Sequence, residues 1–168
     1  MRLLKTVAAL RCFVEMARTG LNPIDGDDRT QPGQPMSTKA HQTITIGLVP
    51  TMGALHAGHG SLLAKARAEN TIVILTIFVN PLQFGPGEDF DHYPRHLAAD
   101  LVTAKAAGVD AVFAPTAAEL GLDRELVQVV PPAGLMAGLC GRSRPGHFTG
   151  VATIVTKLLN LVQADRAY

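Results

Sequence analysis

The chain has 168 residues, and its 15 Lys and Arg residues against 14 Asp and Glu residues give a formal net charge of +1. This near-zero charge excludes a domain held on nucleic acid or acidic lipid by bulk electrostatics, and a composition that is 47% hydrophobic and only 17% charged excludes disorder of the whole chain. The two cysteines, Cys12 and Cys140, do not make a disulfide framework, which favours a reducing compartment, the cytoplasm.

The N-terminal segment predicts an amphipathic helix that begins near Thr6. Four apolar side chains recur at helical spacing on one face, and charged side chains occupy the other face. The apolar positions are Val7, Leu10, Val14 and Ala17. An export signal is the weaker alternative, because Lys5 and Arg11 interrupt the apolar stretch and no small-residue cleavage site follows.

Residues 21–42 differ in composition from the segments on either side. They are rich in Pro, Gly and Asp and contain almost no apolar side chains, which predicts a mobile loop or linker. A structureless run of this length is unusual within a compact domain. We therefore interpret residues 21–42 as a flexible insertion, with a join between two segments as the alternative.

Strands and helices are predicted to alternate from Thr43 onward. Short apolar runs, none long enough to span a membrane, predict buried strands at residues 44–49, 72–79 and 109–114. Helices are predicted at residues 58–70, 95–107 and 151–162, and a further short strand at residues 127–130. Apolar strands that alternate with helices are typical of a parallel sheet covered on both faces. We therefore expect an α/β fold, a doubly wound parallel sheet of the Rossmann-like type, in a single domain.

The strongest chemical signal follows the strand predicted at residues 44–49. It reads Pro50-Thr51-Met52-Gly53-Ala54-Leu55-His56-Ala57-Gly58-His59 and places His-x-Gly-His at the start of a helix. Ligands of such sheets bind beyond the carboxyl ends of the strands, and a helix N-terminus favours phosphate because its backbone N–H groups are free to donate. The imidazoles can donate to charge that develops on phosphorus. Zinc is a poor alternative because a third ligand is lacking nearby, so no metal site is predicted; the other alternative is that both histidines only cap or pack.

This segment resembles the nucleotide-binding signature of the pantothenate synthetase family, within the superfamily of His-x-Gly-His nucleotidylyltransferases and class I aminoacyl-tRNA synthetases. Residues 77–95 (IFVNPLQFGPGEDFDHYPR) are similar to the second signature of the family. Residues 107–116 (AGVDAVFAPT) and 143–168 are similar to its later segments, and residues 6–20 resemble its first helix. The resemblance therefore covers nearly the whole chain except residues 21–42.

The resemblance implies an ATP-dependent ligase that condenses (R)-pantoate with β-alanine. Pantoate and ATP would form pantoyl adenylate and pyrophosphate, and β-alanine would then displace AMP to give pantothenate, with Mg²⁺ on the phosphates. The residues from Pro50 to His59 are implied to bind ATP, with adenine against the Pro50-Thr51-Met52 turn and phosphate against His56. His59 is implied to be the proton donor, so His56 and His59 are the catalytic candidates.

The same resemblance assigns the acyl substrates to the second signature. Gln83 matches the glutamine that holds pantoate near β-alanine, and its amide can both donate and accept hydrogen bonds. Asn80 either lines the same pocket or is a turn residue and nothing more. Three polar residues of the following loop are expected to be solvated rather than to bind a metal: Asp89, Asp91 and His92. Arg144 and His147 lie in a Gly/Pro loop that either closes over the substrate or has a structural role.

Members of the family continue past the position of Tyr168 with segments that supply the far side of the ATP pocket and with a C-terminal lid domain. The expectation from the resemblance is therefore that these 168 residues alone have impaired activity. The alternative is a non-catalytic nucleotide-binding fragment or a module that pairs with another subunit. The expected partners are the small-molecule substrates pantoate, β-alanine and ATP, and a second copy in a homodimer, with no nucleic acid and no membrane.

Overall fold

The computed structural model describes residues 1–24 and 43–168. Its strands are β1 (Arg2–Leu4), β2 (Ile46–Thr51), β3 (Ile72–Ile77), β4 (Ala111–Phe113) and β5 (Arg166–Ala167). Its α-helices are α1 (Val7–Arg18), α2 (Ala57–Glu69), α3 (Leu97–Ala106), α4 (Ala133–Met136), α5 (Leu139–Ser143) and α6 (His147–Val162), and a 3₁₀ helix spans Pro81–Gln83.

The strands form one parallel sheet in the order β1-β4-β3-β2-β5. β2 and β3 pair over their full length, from Ile46 opposite Ile72 to Thr51 opposite Ile77, so both end at the same edge. From β2 the chain adds β3 and then β4 on one side, and later β5 on the other side, so the strand order reverses at β2. This topology confirms the predicted α/β, Rossmann-like fold, and it creates a crevice for ligands at the carboxyl end of β2.

Two hydrophobic cores lie on opposite faces of the sheet, because successive side chains of a strand point to opposite sides. One core packs α1 and α6 against the sheet and contains Leu10, Phe13, Ile46, Leu48, Ile72, Ile74, Ile154 and Leu158. The other packs α2 and α3 against the opposite face and contains Val49, Leu63, Ala66, Val73, Leu75, Ala104 and Val112. Burial on both faces is the reason that the central strands are apolar throughout.

The predicted helices are present, with shifted ends. Thr6 caps α1, and its side chain accepts a hydrogen bond from the Ala9 N–H (3.1 Å), as the predicted start near Thr6 requires. α2 and α3 correspond to the predictions at residues 58–70 and 95–107, whereas α6 begins at His147, before the predicted start at residue 151. Among residues 1–24 and 43–168, the helices are not long and apolar enough to cross a membrane.

The strand predicted at residues 127–130 is wrong. This segment is irregular, and Val127 is 95% exposed. The Val129 N–H donates to Thr153 Oγ1 on α6 (3.0 Å) instead of to a neighbouring strand. Two further strands, β1 and β5, form the edges of the sheet; with three and two residues, they are too short to form a recognisable apolar run.

The first residues of the predicted insertion are packed. Asn22 and Ile24 are 2% and 5% exposed, and Ile24 belongs to the core beneath α1 and α6. Arg2 Nη1 donates a hydrogen bond to the Pro23 carbonyl (3.1 Å), which ties this segment to β1. The remainder of the predicted insertion, residues 25–42, lies outside the described residues, so its mobility stays a prediction.

Candidate active site

The loop between β2 and α2 crosses the edge of the sheet where the strand order reverses. Thr51 Oγ1 donates a hydrogen bond to the Thr76 carbonyl on β3 (2.7 Å) and accepts one from the Gly53 N–H (3.2 Å). Gly53 and Ala54 then both have positive φ angles, 88° and 51°. Glycine adopts this conformation without strain and alanine rarely does. The loop is therefore a tight turn that leads directly into α2.

The two histidines of the motif form a reciprocal cap at the N-terminus of α2. His56 is the N-cap residue, and its Nδ1 accepts the Gly58 N–H (3.1 Å), while His59 Nδ1 accepts the His56 N–H (3.3 Å). Their ring centroids are 4.1 Å apart. A Cβ on Gly58 would approach the His56 ring within 3.0 Å, so glycine leaves the room that the imidazole occupies. Because each Nδ1 accepts a hydrogen bond, the ring proton of each neutral imidazole lies on Nε2, which can donate to a ligand.

The surroundings of His59 favour its neutral form. Burial lowers the pKa of the His59 imidazole, and the neighbouring His56 lowers it further. The carboxylate of Asp100 acts in the opposite direction and raises the same pKa. The net lowering favours the neutral imidazole, whose Nε2–H can donate a hydrogen bond.

Asp100 is a residue of this site that the sequence analysis missed. It lies in the first turn of α3 and is 4% exposed. Its Oδ1 accepts the Leu55 N–H (2.8 Å), and its Oδ2 accepts the Ala54 N–H (3.1 Å). An aspartate within a helical pattern carries no local signal for this role, because the contact joins segments 45 and 46 residues apart.

Gln83 and Asn80 are linked to the loop between β2 and α2 by a chain of side-chain hydrogen bonds. Asn80, which is 1% exposed, donates from Nδ2 to Gln83 Oε1 (3.0 Å) and to the Gly150 carbonyl (3.1 Å). Gln83 Nε2 in turn donates to Met52 Sδ (3.1 Å). Asn80 also caps the 3₁₀ helix, because its Oδ1 accepts the Leu82 N–H (3.2 Å). The predicted turn role and the predicted pocket position of Asn80 therefore coexist.

A cavity of about 280 Å³ brings residues of both signatures together. The end of β2, the turn after it and the start of α2 contribute Pro50, Thr51, Met52 and His59, and the second signature contributes Phe78, Asn80, Gln83 and Tyr93. An apolar wall from α6 completes the lining with Val151, Ile154, Val155 and Leu158. The sequence of α6 carries no local signal for this role, because its contribution depends on how the helix crosses the sheet.

Arg144 and His147, just before and at the start of α6, make hydrogen-bond contacts with residues of the second signature. Arg144 donates from Nε to Glu88 Oε1 (2.8 Å) and from Nη2 to Glu88 Oε2 and to the Gln83 carbonyl (3.1 Å). His147 Nδ1 lies 2.9 Å from the same Gln83 carbonyl. Of the two roles considered for Arg144 and His147, these contacts are structural, because they hold the backbone of a candidate substrate residue.

Three polar residues of the loop that follows Gln83 are open to solvent. Asp89, Asp91 and His92 are exposed, as the sequence analysis expected. Within residues 1–24 and 43–168, three or more His, Cys, Asp or Glu side chains do not gather in an arrangement that could hold a metal ion.

A parallel sheet with a His-x-Gly-His turn at its switch-point edge defines this protein as a Rossmann-like α/β domain. Within that class, the chain belongs to the pantoate-beta-alanine ligase family, whose model matches residues 29–168. The solved structure of pantothenate synthetase from Thermus thermophilus is 42% identical with a TM-score of 0.79, and the match covers 100% of this chain and 51% of that chain. Pantoate-beta-alanine ligase from Francisella tularensis, complexed with beta-gamma ATP and β-alanine, is 34% identical with a TM-score of 0.79, covering 100% and 56%.

Curated relatives agree with this assignment. The pantothenate synthetase of Moorella thermoacetica is 49% identical over 168 residues, which cover 100% of this chain and 51% of the relative. The bifunctional pantoate ligase/cytidylate kinase of Trichormus variabilis is 53% identical over 174 residues, which cover 100% of this chain and 32% of the relative. The chain thus spans about half of the length of the curated relatives it matches, or less.

Proposed function

We propose that this chain carries the ATP-binding and pantoate-binding part of a pantoate–β-alanine ligase that forms pantothenate through pantoyl adenylate. The observation that carries the proposal is the cavity lined by His59 and the Pro50–Met52 turn on one side and by Asn80 and Gln83 on the other. A reaction between ATP and a small carboxylate needs the two substrates side by side, and positioning is a large part of its catalysis.

In the first step a carboxylate oxygen of pantoate attacks the α-phosphorus of ATP. The new P–O bond forms as the bond to the β-phosphate breaks, and pyrophosphate leaves. Negative charge spreads over the phosphate oxygens, where the positive end of the α2 dipole and the Nε2–H groups of His56 and His59 can stabilise it. In the second step the amine of β-alanine attacks the acyl carbon, the bond to AMP breaks and the amine loses a proton.

Gln83 is suited to hold pantoate. Its Oε1 is oriented by Asn80, and its Nε2 donates to the thioether of Met52 (3.1 Å). A thioether is a weak acceptor, so a hydroxyl or carboxylate oxygen of the substrate can replace it at little cost. The buried amide of Asn80 keeps the Gln83 side chain directed into the cavity when this exchange occurs.

The remaining parts of the proposal concern Mg²⁺, assembly and compartment. Mg²⁺ would be carried on the phosphates of ATP, where it would neutralise part of the charge that develops during transfer. A homodimer is supported by five large apolar side chains left exposed between β4 and α6: Val127, Val129, Val130, Leu135 and Leu139. The cytoplasm is supported by the two exposed free thiols, Cys12 and Cys140, which persist in a reducing compartment.

Calorimetry with ATP and a matched pair of histidine variants tests the proposal. His59→Ala should weaken ATP binding by about tenfold or more, since it removes a donor to the phosphates. His92→Ala, which changes an exposed histidine of the neighbouring loop, should leave binding unchanged. Folded protein that does not bind ATP, or equal effects of the two variants, would contradict the proposal.

Pantoate-dependent exchange of pyrophosphate into ATP separates a ligase from a non-catalytic nucleotide-binding module. The proposal predicts exchange in a protein that includes this chain, and Gln83→Ala should reduce it through a higher KM for pantoate while ATP binding is retained. ATP binding without any exchange would instead identify a nucleotide-binding module.

A further inference from the structure

Asp100 connects α3 to a loop that precedes it by more than 40 residues. Both oxygens of its buried carboxylate accept backbone hydrogen bonds from that loop, at 2.8 Å from Leu55 and 3.1 Å from Ala54. Hydrogen bonds to an ionised acceptor are about twice as strong as those between neutral groups. The carboxylate therefore holds the backbone of Ala54 and Leu55 in place.

The loop needs such an attachment because its conformation is unfavourable. Gly53 and Ala54 have consecutive positive φ angles of 88° and 51°, and an alanine in this region persists only where its surroundings hold it. Successive N–H groups in tight turns of this kind converge on an anion. Here the anion is the side chain of Asp100, and it satisfies the two N–H groups that the turn exposes.

The fit between Asp100 and the turn is close. A Cβ placed on Gly53 would lie 2.9 Å from Asp100 Oδ2 and 3.0 Å from Ile77 Cγ2. Glycine at position 53 therefore serves two purposes: it allows the positive φ, and it leaves room for the carboxylate. The turn, the aspartate and the end of β3 form one packed unit beneath the start of α2.

This unit lies directly before the histidine cap. Leu55, which donates to Asp100, is followed by His56, whose backbone N–H donates to His59 Nδ1 (3.3 Å). A shift of the loop would therefore turn His56 and His59 together and change the direction of the N–H groups at the start of α2. The charged and titratable side chains around His59 are His56 from the cap, Asp100 from α3 and Tyr93 from the loop that lines the same cavity.

We propose that Asp100 is the positioning residue of the loop between β2 and α2, and that it holds residues 53–55 in the conformation that presents His59 and the N-terminus of α2 to phosphate. Asp100 acts through the loop and does not itself contact the nucleotide. The inference depends on the proposed function for the identity of the ligand, whereas the effect of Asp100 on the loop does not depend on it.

Asp100→Asn tests this role, with Asp110→Asn as the matched control. Asp110 is also a buried aspartate that accepts a backbone N–H, from Val73 (2.7 Å), but at the opposite end of the strands. Asp100→Asn replaces one acceptor oxygen by an NH₂ group, so we expect amide exchange at Ala54 and Leu55 to accelerate about tenfold or more. Asp110→Asn should leave those two amides within about twofold of wild type, because effects at distant sites are independent.

ATP affinity is measured on the same proteins by calorimetry, and we expect a loss of about tenfold in Asp100→Asn alone. Unchanged exchange at Ala54 and Leu55, or equal changes in both variants, would overturn the role of Asp100. Altered exchange with unaltered ATP binding would show that the loop does not present the nucleotide site.

Because the exchange measurement needs no ligand, it tests the positioning role of Asp100 even if the wild-type protein does not bind ATP. If Asp100→Asn does not fold, Asp100→Glu, which keeps the charge but displaces the carboxylate by one methylene, takes its place in the same two measurements.

Discussion

At the scale of single residues, the contact between Arg144 and Glu88 determines how firmly the second signature is held. Arg144 binds both oxygens of Glu88 and the carbonyl of Gln83. The hydrogen bond from Arg144 is the main reason that the pKa of Glu88 falls from its usual 4.5 to about 2. Since the folded pKa lies below the unfolded one, the contribution of this pair to folding is present above pH 4.5 and is lost as the pH falls towards 2.

A carbon-13 titration of the Glu88 carboxyl group measures this effect. In wild-type protein its midpoint should lie near pH 2, and in Arg144→Met it should move up towards 4.5 because the hydrogen bond is gone. Arg142→Met changes an exposed arginine on the same turn and should leave the midpoint in place. A midpoint near the usual value in wild-type protein would show that the pair is not formed in solution.

At the scale of elements, the approach of α6 to the 3₁₀ helix places Gln83 in the cavity. Gly150 lies at the contact, and its carbonyl accepts a hydrogen bond from Asn80 (3.1 Å). A Cβ at position 150 would lie 2.1 Å from the Leu82 carbonyl oxygen and 2.6 Å from the Gln83 nitrogen. Both of these are backbone atoms, which cannot move aside as the end of a flexible side chain can. The two elements can therefore pack this closely only without a side chain at position 150.

Gly150→Ala should lower the free energy of unfolding by about 1–3 kcal/mol through overpacking and shift the side-chain amide resonances of Gln83. Gly60→Ala in α2 is the matched control, because nothing lies within 4 Å of a Cβ at that position. It should raise stability by up to about 1 kcal/mol, the difference in helix propensity. Chemical denaturation and an NMR spectrum check both variants. Equal stability of Gly150→Ala and wild type would contradict the close approach.

At the scale of the whole molecule, a network around Arg67 joins the elements at the end of the sheet away from the site. Arg67 donates to Asp110 Oδ2 (2.6 Å) and to the carbonyls of Asn70, Thr71 and Gly108. These acceptors lie where α2 turns into β3 and where α3 turns into β4. Asp110 is 6% exposed, so these hydrogen bonds must compensate its carboxylate for the water that it loses on burial.

Arg67→Met should lower the free energy of unfolding by about 2–3 kcal/mol, because it leaves a buried carboxylate with fewer partners. Arg124→Met removes an arginine whose side chain is 80% exposed beside Asp123 (3.8 Å), and it should change stability by less than about 0.5 kcal/mol. Both variants should bind ATP as wild type does, since the network lies at the other end of the strands. Denaturant unfolding and calorimetry give the two measurements. A loss of ATP affinity in Arg67→Met that matches its loss of stability would show that the two ends of the sheet are coupled.

Features that depend on neighbouring residues in the sequence could be predicted well. The apolar runs of β2 and β3, the helical pattern that follows each of them and the Thr6 cap of α1 are set by local propensity and by alternation. His-x-Gly-His at a helix start is equally local, because the cap uses residues only two or three positions apart. The resemblance to the family also rests on contiguous segments, and the family model confirms it.

The tertiary structure alone decided which distant residues meet. The apolar segment at residues 127–130 has the composition of a strand but does not pair with a strand of the sheet. The short polar β5 does pair, with β2. Asp100, Gly150 and Arg144 reach the candidate site from α3, from α6 and from the loop before it, across separations that no local pattern encodes. Sequence by itself determined the class of fold and the residues able to carry the chemistry. Their arrangement into one cavity depends on contacts between distant segments, because the loss of chain entropy in closing those loops is offset only when the whole sheet and both its cores are formed.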